Sequence, residues 1–382
     1  MLRSLLAWYD LLHHKKRFVT SLLGVAFAVF LIFVEVGFLN GVYDSQTDLI
    51  TRFNADLILV NRLKEDVRPL LPFSRGRLLQ AAGHEAIAEA YPLYVDSGRW
   101  KNYDEHLTHF ALTIGFDPSY PVLDIPEIAE YQEQLKLPET ALFDAKSRQL
   151  YGAVGVGTEA ELERRKIRVI GEFRMGPDFR TDGTVIMSDL NFLRYFPNPA
   201  SDQPDPDRIE FGLLKIKPGY DSTLVRRQLE TLLTDEVSVL TKEEMIERTR
   251  QFWKRSKSVG TVFGMGAVVG FVIGVIICYQ ILFNDISDNY PQYATLKAMG
   301  YSNFYLVELV LKKALLLSLF GFLPGWLLSA SLYSVLERST GIRMWLTWDR
   351  GLTVLGMSVG MCVLAGLLAI FKVVRADAAE LF

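Results

Sequence analysis

Four runs of apolar residues constrain this chain more than anything else in it: 18–42, 258–283, 305–335 and 351–371. Each reaches the ~20 residues a helix needs to cross a bilayer core. Between the first and the second lie roughly two hundred residues of ordinary globular composition, enough for a one- or two-part domain outside the membrane. The expected fold is a membrane protein with four transmembrane helices in a 1+3 arrangement and a large extracytoplasmic domain. A mean hydropathy of +0.17 agrees, since soluble globular chains are seldom positive.

Charge sets the expected orientation. His13-His14-Lys15-Lys16-Arg17 precedes the first run, and basic residues beside a span stay preferentially in the cytoplasm. Within residues 1–17, Leu2, Leu5, Leu6, Tyr9 and Leu12 recur at helical spacing and predict an amphipathic helix lying at the inner interface. Residues 43–257 and the short loop 336–350 then lie outside, while 284–304 and the tail 372–382, with Lys372 and Arg375, lie inside. The first run is too long for the apolar core of a signal peptide and is not followed by a small-residue cleavage site. Glu35 sits inside it, and an ionisable residue in a span is by default a functional hypothesis. The competing reading, favoured by Asn40, Gly41 and Tyr43 close behind, ends the span early and leaves Glu35 solvated near the outer interface.

The outer domain reads as α+β, split by a β-rich insert. A strand over 55–60, a helix over 74–90 and strands over 93–95 and 108–115 come first. The insert occupies about 118–206, with strands at 167–173 and 184–187. A strand over 208–217, a helix over 222–233 and a strand over 236–240 complete the domain. Thr241-Lys242-Glu243-Glu244 has the form of a capping box. The helix it opens meets no Gly or Pro before the second run, which predicts a continuous stalk over 242–257 into that span. In the second run Gly260, Gly264, Gly266, Gly270 and Gly274 form small-xxx-small patterns, a packing face within the subunit or across a homodimer. Gly321, Pro324 and Gly325 predict a kink or break in the third.

The loop 284–304 is longer than a turn between spans requires. Tyr293-Ala294-Thr295-Leu296-Lys297-Ala298-Met299 is helix-forming, with Pro291 near its start and Gly300 just past its end. Lys297 in the last turn suits the negative end of the helix dipole. A short helix of this kind offers a soluble partner a surface to push against.

Chemistry of its own is missing. No stretch fits Gly-x-x-x-x-Gly-Lys-Ser/Thr, so no P-loop is expected to bind ATP and Mg in this chain. His84-Glu85 begins like a zinc-protease motif, but position 88 is Ala. The His106/His109 pair is too unspecific for a metal site. Gly264-Met265-Gly266 lies in an apolar run with no strand before it, unlike a dinucleotide loop. With no catalytic constellation, cofactor or metal expected, the chain is not expected to be an enzyme by itself. A net charge of -3 gives no reason to expect nucleic acid. The two cysteines, Cys278 and Cys362, fall in apolar runs, so the outer domain does not rely on disulfides.

The whole pattern resembles the MacB/FtsX-like permeases of ABC transporter systems, and within them the DevC-type permeases of cyanobacterial exporters. The resemblance rests on Tyr293–Gly300 as the coupling-helix motif, and on Trp8-Tyr9-Asp10-Leu11 and Phe38-Leu39-Asn40-Gly41. Phe173-Arg174-Met175-Gly176-Pro177-Asp178-Phe179 with Asp182-Gly183, and Ala378-Ala379-Glu380-Leu381-Phe382, also fit. Pro291-Gln292 stands where members of the family often carry an acidic residue. That makes the partner contact apolar and shape-based, centred on Tyr293, Leu296 and Met299.

The resemblance implies a homodimeric permease in a bacterial inner membrane, coupled to a separate ABC ATPase subunit that binds ATP and Mg. It also implies a periplasmic membrane fusion (adaptor) protein and a TolC-like outer-membrane channel, exporting glycolipid or other envelope material. The alternative it leaves is an FtsX-like, non-transporting regulator of a cell-wall hydrolase. A cysteine placed at Asp205 is predicted to react with a membrane-impermeant reagent from outside; protection in intact spheroplasts would overturn the orientation.

Overall fold

The computed structural model describes residues 15–68, 70–103, 108–255, 257–341 and 344–375. The amphipathic helix expected over 1–17 lies outside the described residues except for 15–17, and the C-terminal motif 378–382 lies wholly outside them. The chain divides into two compact units. One comprises the residues up to Gly41, Lys257–Leu336 and those from Met344 onward; the other comprises Val42–Ser256 with Glu337–Arg343.

Helix α1 (Lys15–Thr51) is 37 residues long, about 55 Å at the helical rise. It does not end near residue 42, and it supplies residues to both units. The outer unit follows, with β1 (Leu57–Asn61), β2 (Phe73–Ser74), α2 (Arg75–Ala82), β3 (Ile87–Asn102) and β4 (Thr108–Phe116). After a 3-10 turn come α3 (Gln132–Leu135), β5 (Thr140–Asp144), β6 (Glu159–Leu162), β7 (Arg165–Phe173), β8 (Thr184–Ser188) and α4 (Asp189–Tyr195). The unit continues with β9 (Arg208–Ile209), β10 (Phe211–Ile216), α5 (Ser222–Leu232), β11 (Val237–Thr241) and α6 (Lys242–Arg255).

The strands form one sheet in the order β11-β1-β10-β3-β4-β8-β5-β7-β6, and β6 pairs back onto β3. That closure makes a barrel of β3, β4, β8, β5, β7 and β6, while β11, β1, β10 and the first half of β3 form an open antiparallel sheet. β3 is 16 residues long and belongs to both. Tyr91 pairs with Leu213 in the open sheet, and Trp100 pairs with both His109 and Leu162 in the barrel. The β-rich part therefore starts before residue 118, because β3 and β4 are two of its walls.

The helix expected over 74–90 is cut short at Gly83. Ile87 and Ala90 pair instead with Ile216 and Leu214 of β10, so a tertiary ladder overrides local helix preference. β1 is buried on both faces, which is why it reads as an unbroken apolar run. Leu57 and Leu59 pack with Leu78 of α2 and Leu229 of α5, and Ile58 and Val60 with Ile50 of α1 and Met245 of α6. Between β6 and β7 the two-residue turn Glu163-Arg164 has φ of 47° and 63°, the left-handed pair a tight hairpin demands. Neither residue is Gly; the Glu163 carboxylate accepts from the Arg99 backbone N–H at 2.7 Å and from its guanidinium at 2.9 Å, which holds the turn on β3.

The capping box is present in full. Thr241 Oγ1 accepts from the Glu244 N–H at 3.2 Å, and Glu244 Oε2 accepts from the Thr241 N–H at 2.9 Å. The continuity of the stalk turns on residue 256, which lies outside the described residues.

The membrane unit adds α7 (Lys257–Asp288), α8 (Tyr290–Ala298), α9 (Asn303–Thr340) and α10 (Trp348–Arg375) to the first part of α1. Among the described residues three helical segments are long and apolar enough to cross a membrane: Phe18–Thr51, Gly264–Asp288 and Trp348–Phe371. α9 is helical throughout, so the break expected at Pro324 is absent.

Two carboxyls of the outer unit make its stability depend on pH. Burial pushes Asp66 up to about 6 in spite of the nearby Arg180 guanidinium and the Val67 N–H. Burial, with Glu210 close by, does the same to Asp96. Both folded values exceed the ordinary carboxyl value, so the stability they contribute is full below about pH 4 and is lost as pH rises through about 6. Unfolding of the outer domain in the full-length chain is expected to become easier by roughly 1 kcal/mol per carboxyl between pH 5 and 7.5. Asp96→Asn should remove its share of that slope, and an unchanged slope in this variant would refute the assignment.

Candidate functional site

Helix α8, between α7 and α9, is bounded by its own chemistry. Pro291 stands in the first turn of α8, where a missing N–H costs nothing. At the other end Gly300 has a φ of +88°, the left-handed conformation glycine adopts without strain. The Tyr301 N–H donates to the Leu296 carbonyl and the Gly300 N–H to that of Lys297, both at 3.1 Å. These two bonds are a Schellman cap, so the helix stops where the glycine predicted.

Its faces differ from expectation. Tyr293 is buried at 3% exposure, and Leu296 is half-buried against the apolar cluster of the membrane unit. Pro291, Gln292, Thr295, Ala298 and Met299 are exposed, Met299 at 62%. A contact surface centred on Tyr293, Leu296 and Met299 is therefore redrawn: Tyr293 and Leu296 seat the helix, and Thr295, Ala298 and Met299 present its outer side. Ala294 and Lys297 are half-buried between the two.

Three further residues, which the sequence reading passed over, hold α8 from within. Lys313 of α9 is 2% exposed, and its Nζ donates to Asp285 Oδ2 at 3.0 Å. Asn289, which precedes α8, donates from Nδ2 to the Asp285 carbonyl at 3.0 Å and to Asp285 Oδ1 at 3.3 Å. The Lys313 ammonium also lies 5.8 Å from the centre of the Tyr293 ring, within cation–π range. The available signal was Lys312-Lys313 inside an apolar run and Asp285 at the end of another, charges that demand partners.

Gly266, Gly270 and Gly274 of α7 pack within the subunit. A Cβ at Gly266 would lie 2.2 Å from Glu35 Oε2, and one at Gly274 would lie 2.6 Å from the Met361 sulfur of α10 and 3.4 Å from Ala28 of α1. Gly270 is buried, its nearest neighbour the Glu35 side chain, whereas Gly264 faces open space. The packing of Gly260 lies outside the described residues. Glu35 is half-buried within a helix that continues well beyond it, with its carboxylate over Gly266. On α9, a Cβ at Gly325 would lie 2.8 Å from the Ala26 carbonyl oxygen and 2.9 Å from Val29 Cβ. Tyr333 lies over Gly37 and donates its hydroxyl to the Phe33 carbonyl. Cys278 and Cys362 face each other across α7 and α10 with their sulfurs 3.5 Å apart.

In the outer unit the segment Phe173–Phe179 is fixed by Asp144, whose carboxylate accepts from the Met175 and Gly176 N–H groups at 3.1 and 2.6 Å. His109 packs edge-on against Tyr151 at 5.6 Å; its expected partner His106 lies outside the described residues.

Gly264→Ala should leave the thermal unfolding of the purified protein unchanged or slightly raised, since Ala favours a helix over Gly by up to ~1 kcal/mol. Gly325→Ala, which forces a methyl onto backbone, should cost about 1–3 kcal/mol. Equal effects of the two in a melting experiment would contradict this packing.

Residues 264–378 match the model of the FtsX-like permease C-terminal domain, and residues 18–232 match that of the MacB-like periplasmic core domain. Among solved structures, the periplasmic region of MacB from Actinobacillus actinomycetemcomitans is 14% identical, with a TM-score of 0.38 over 52% of this chain and 94% of that one. The extracellular domain of the noncanonic ABC-type transporter YknZ from Gram-positive bacteria is 11% identical, with a TM-score of 0.34 over 48% and 99%. No curated protein matches the chain. The two family models follow one another along the sequence, and the MacB-like core model alone spans more than half of it. The chain belongs to the MacB/FtsX-like permease family.

Proposed function

We propose that the chain is the permease subunit of an ABC-type exporter, working as a mechanical transmitter that receives force from a separate ATPase on the exposed side of α8. The observation that carries this reading is the construction of α8 itself. It is terminated at both ends, seated from inside by Tyr293 and Leu296, and left open on Thr295, Ala298 and Met299. A loop that merely turned the chain would need neither the cap nor the seat. Membership of a family of ABC-type permeases supports an ATPase partner and a dimer, and we place that ATPase on a separate subunit, a reading with which a sequence lacking a P-loop motif is in keeping.

In this reading α9 is a fourth span, the protein sits in a bacterial inner membrane, and the outer unit faces the periplasm. There it engages an adaptor protein and, through it, a TolC-like channel. DevC-type export of glycolipid or other envelope material is the substrate class the sequence resemblance favours. The match of the outer unit to the MacB-like core domain favours export over the regulation of a cell-wall hydrolase.

Met299→Asp tests the contact without disturbing the core, because the side chain is exposed. Membrane insertion and melting should stay at wild-type values while the yield of co-purified ATPase falls at least tenfold. ATPase recovery at the wild-type level would remove α8 from the contact.

A further inference from the structure

We propose that the Asp285–Lys313 ion pair is a strut through which a displacement of α8 reaches two spans at once. The proposal rests on α8 being the coupling helix. Asp285 lies in the last turn of α7, Lys313 lies in the wall of α9, and their side chains meet at 3.0 Å. Asn289, at the start of α8, is bound to the same aspartate through its side chain and through its own N–H, which donates to the Asp285 carbonyl at 3.2 Å. One turn into α8, the Tyr293 ring lies beside the Lys313 ammonium. A single carboxylate and a single ammonium thus join the end of one span, the wall of the next and the first turn of the helix between them.

The chemistry suits a strut better than apolar packing would. Dispersion between apolar side chains is non-directional and fixes no donor–acceptor axis. A charged hydrogen bond has a fixed donor–acceptor geometry and resists shear. With Lys313 almost wholly buried, the attraction is also screened far less than at a surface.

The test places a spin label at position 299 (Met299→Cys, in a Cys278→Ser/Cys362→Ser background) on the full chain in lipid nanodiscs. Lys313→Met keeps the length of the side chain and removes its charge. It should at least halve the rotational correlation time of the label, while Lys313→Arg should leave it unchanged. Asp285→Asn, which keeps the shape of the residue, should loosen the label as Lys313→Met does and serves if that variant fails to insert. In complexes with the co-purified ATPase, Lys313→Met should lower coupled ATP hydrolysis at least tenfold while ATPase yield stays within twofold of wild type. A label equally rigid in Lys313→Met and Asp285→Asn, or equally loose in Lys313→Arg and Lys313→Met, would overturn the strut. Absence of ATPase from the wild-type preparation would instead defeat the coupling reading, and the label would still decide the strut.

Discussion

Inside a bilayer the lipid is as apolar as the side chains, so helices gain nothing by hiding leucines from it and must hold together by fit. The membrane unit depends on that constraint. α1 is brought against α7 at Gly266 and Gly274 and against α9 at Gly321 and Gly325, where a methyl group would have to occupy space already filled. Close approach shortens the distance over which dispersion acts and multiplies contacts that are individually worth only ~0.1–0.2 kcal/mol. Gly266, Gly270 and Gly274 of α7 meet neighbours within the subunit, whereas Gly264 faces open space.

Against that tight but non-directional background, the few buried polar groups mark positions where direction matters. Glu35 lies over the Gly266 backbone, Tyr333 reaches the Phe33 carbonyl, and Lys313 is bound to Asp285. Each joins residues of different helices. Replacing a buried ion pair by well-packed apolar residues is often neutral or stabilising, whereas removing one partner costs about 3–5 kcal/mol. Stability alone therefore gives a weak reason to keep Lys313 and Asp285, and holding a register between α7, α8 and α9 gives a stronger one.

How much of this could be read from the sequence follows the range of the forces involved. The ends of α8 were legible because Pro291 and Gly300 act on their own backbone, and the capping box at Thr241 and Glu244 for the same reason. The apolar runs at 18–42, 258–283 and 351–371 show as segments fit to cross a membrane because that property is one of length and composition. The limits of the α2 helix were not legible: residues 84–90 have helical spacing, but the partner that draws Ile87–Ala90 into a strand is β10, more than a hundred residues later. The orientation of Tyr293 was hidden likewise, because an amphipathic pattern on nine residues does not say which side meets Lys313. The closure of the barrel depends on β6 pairing with the far half of β3, a long-range ladder without a local signature.

That closure bears on how the outer unit behaves under load. A barrel appended through a linker would swing on the linker and dissipate a push as rotation. Here β3 is the seam between the open sheet and the barrel, and it crosses from one to the other without a break. Its partner changes from β10 at Leu93 to β4 at Tyr94, on the opposite flank, while its own backbone continues to the pairing with β6 at Trp100. Trp100, fully buried at the barrel end, packs its ring against Phe143 at 4.9 Å, and Tyr91, at the other end, lies 5.1 Å from Tyr120.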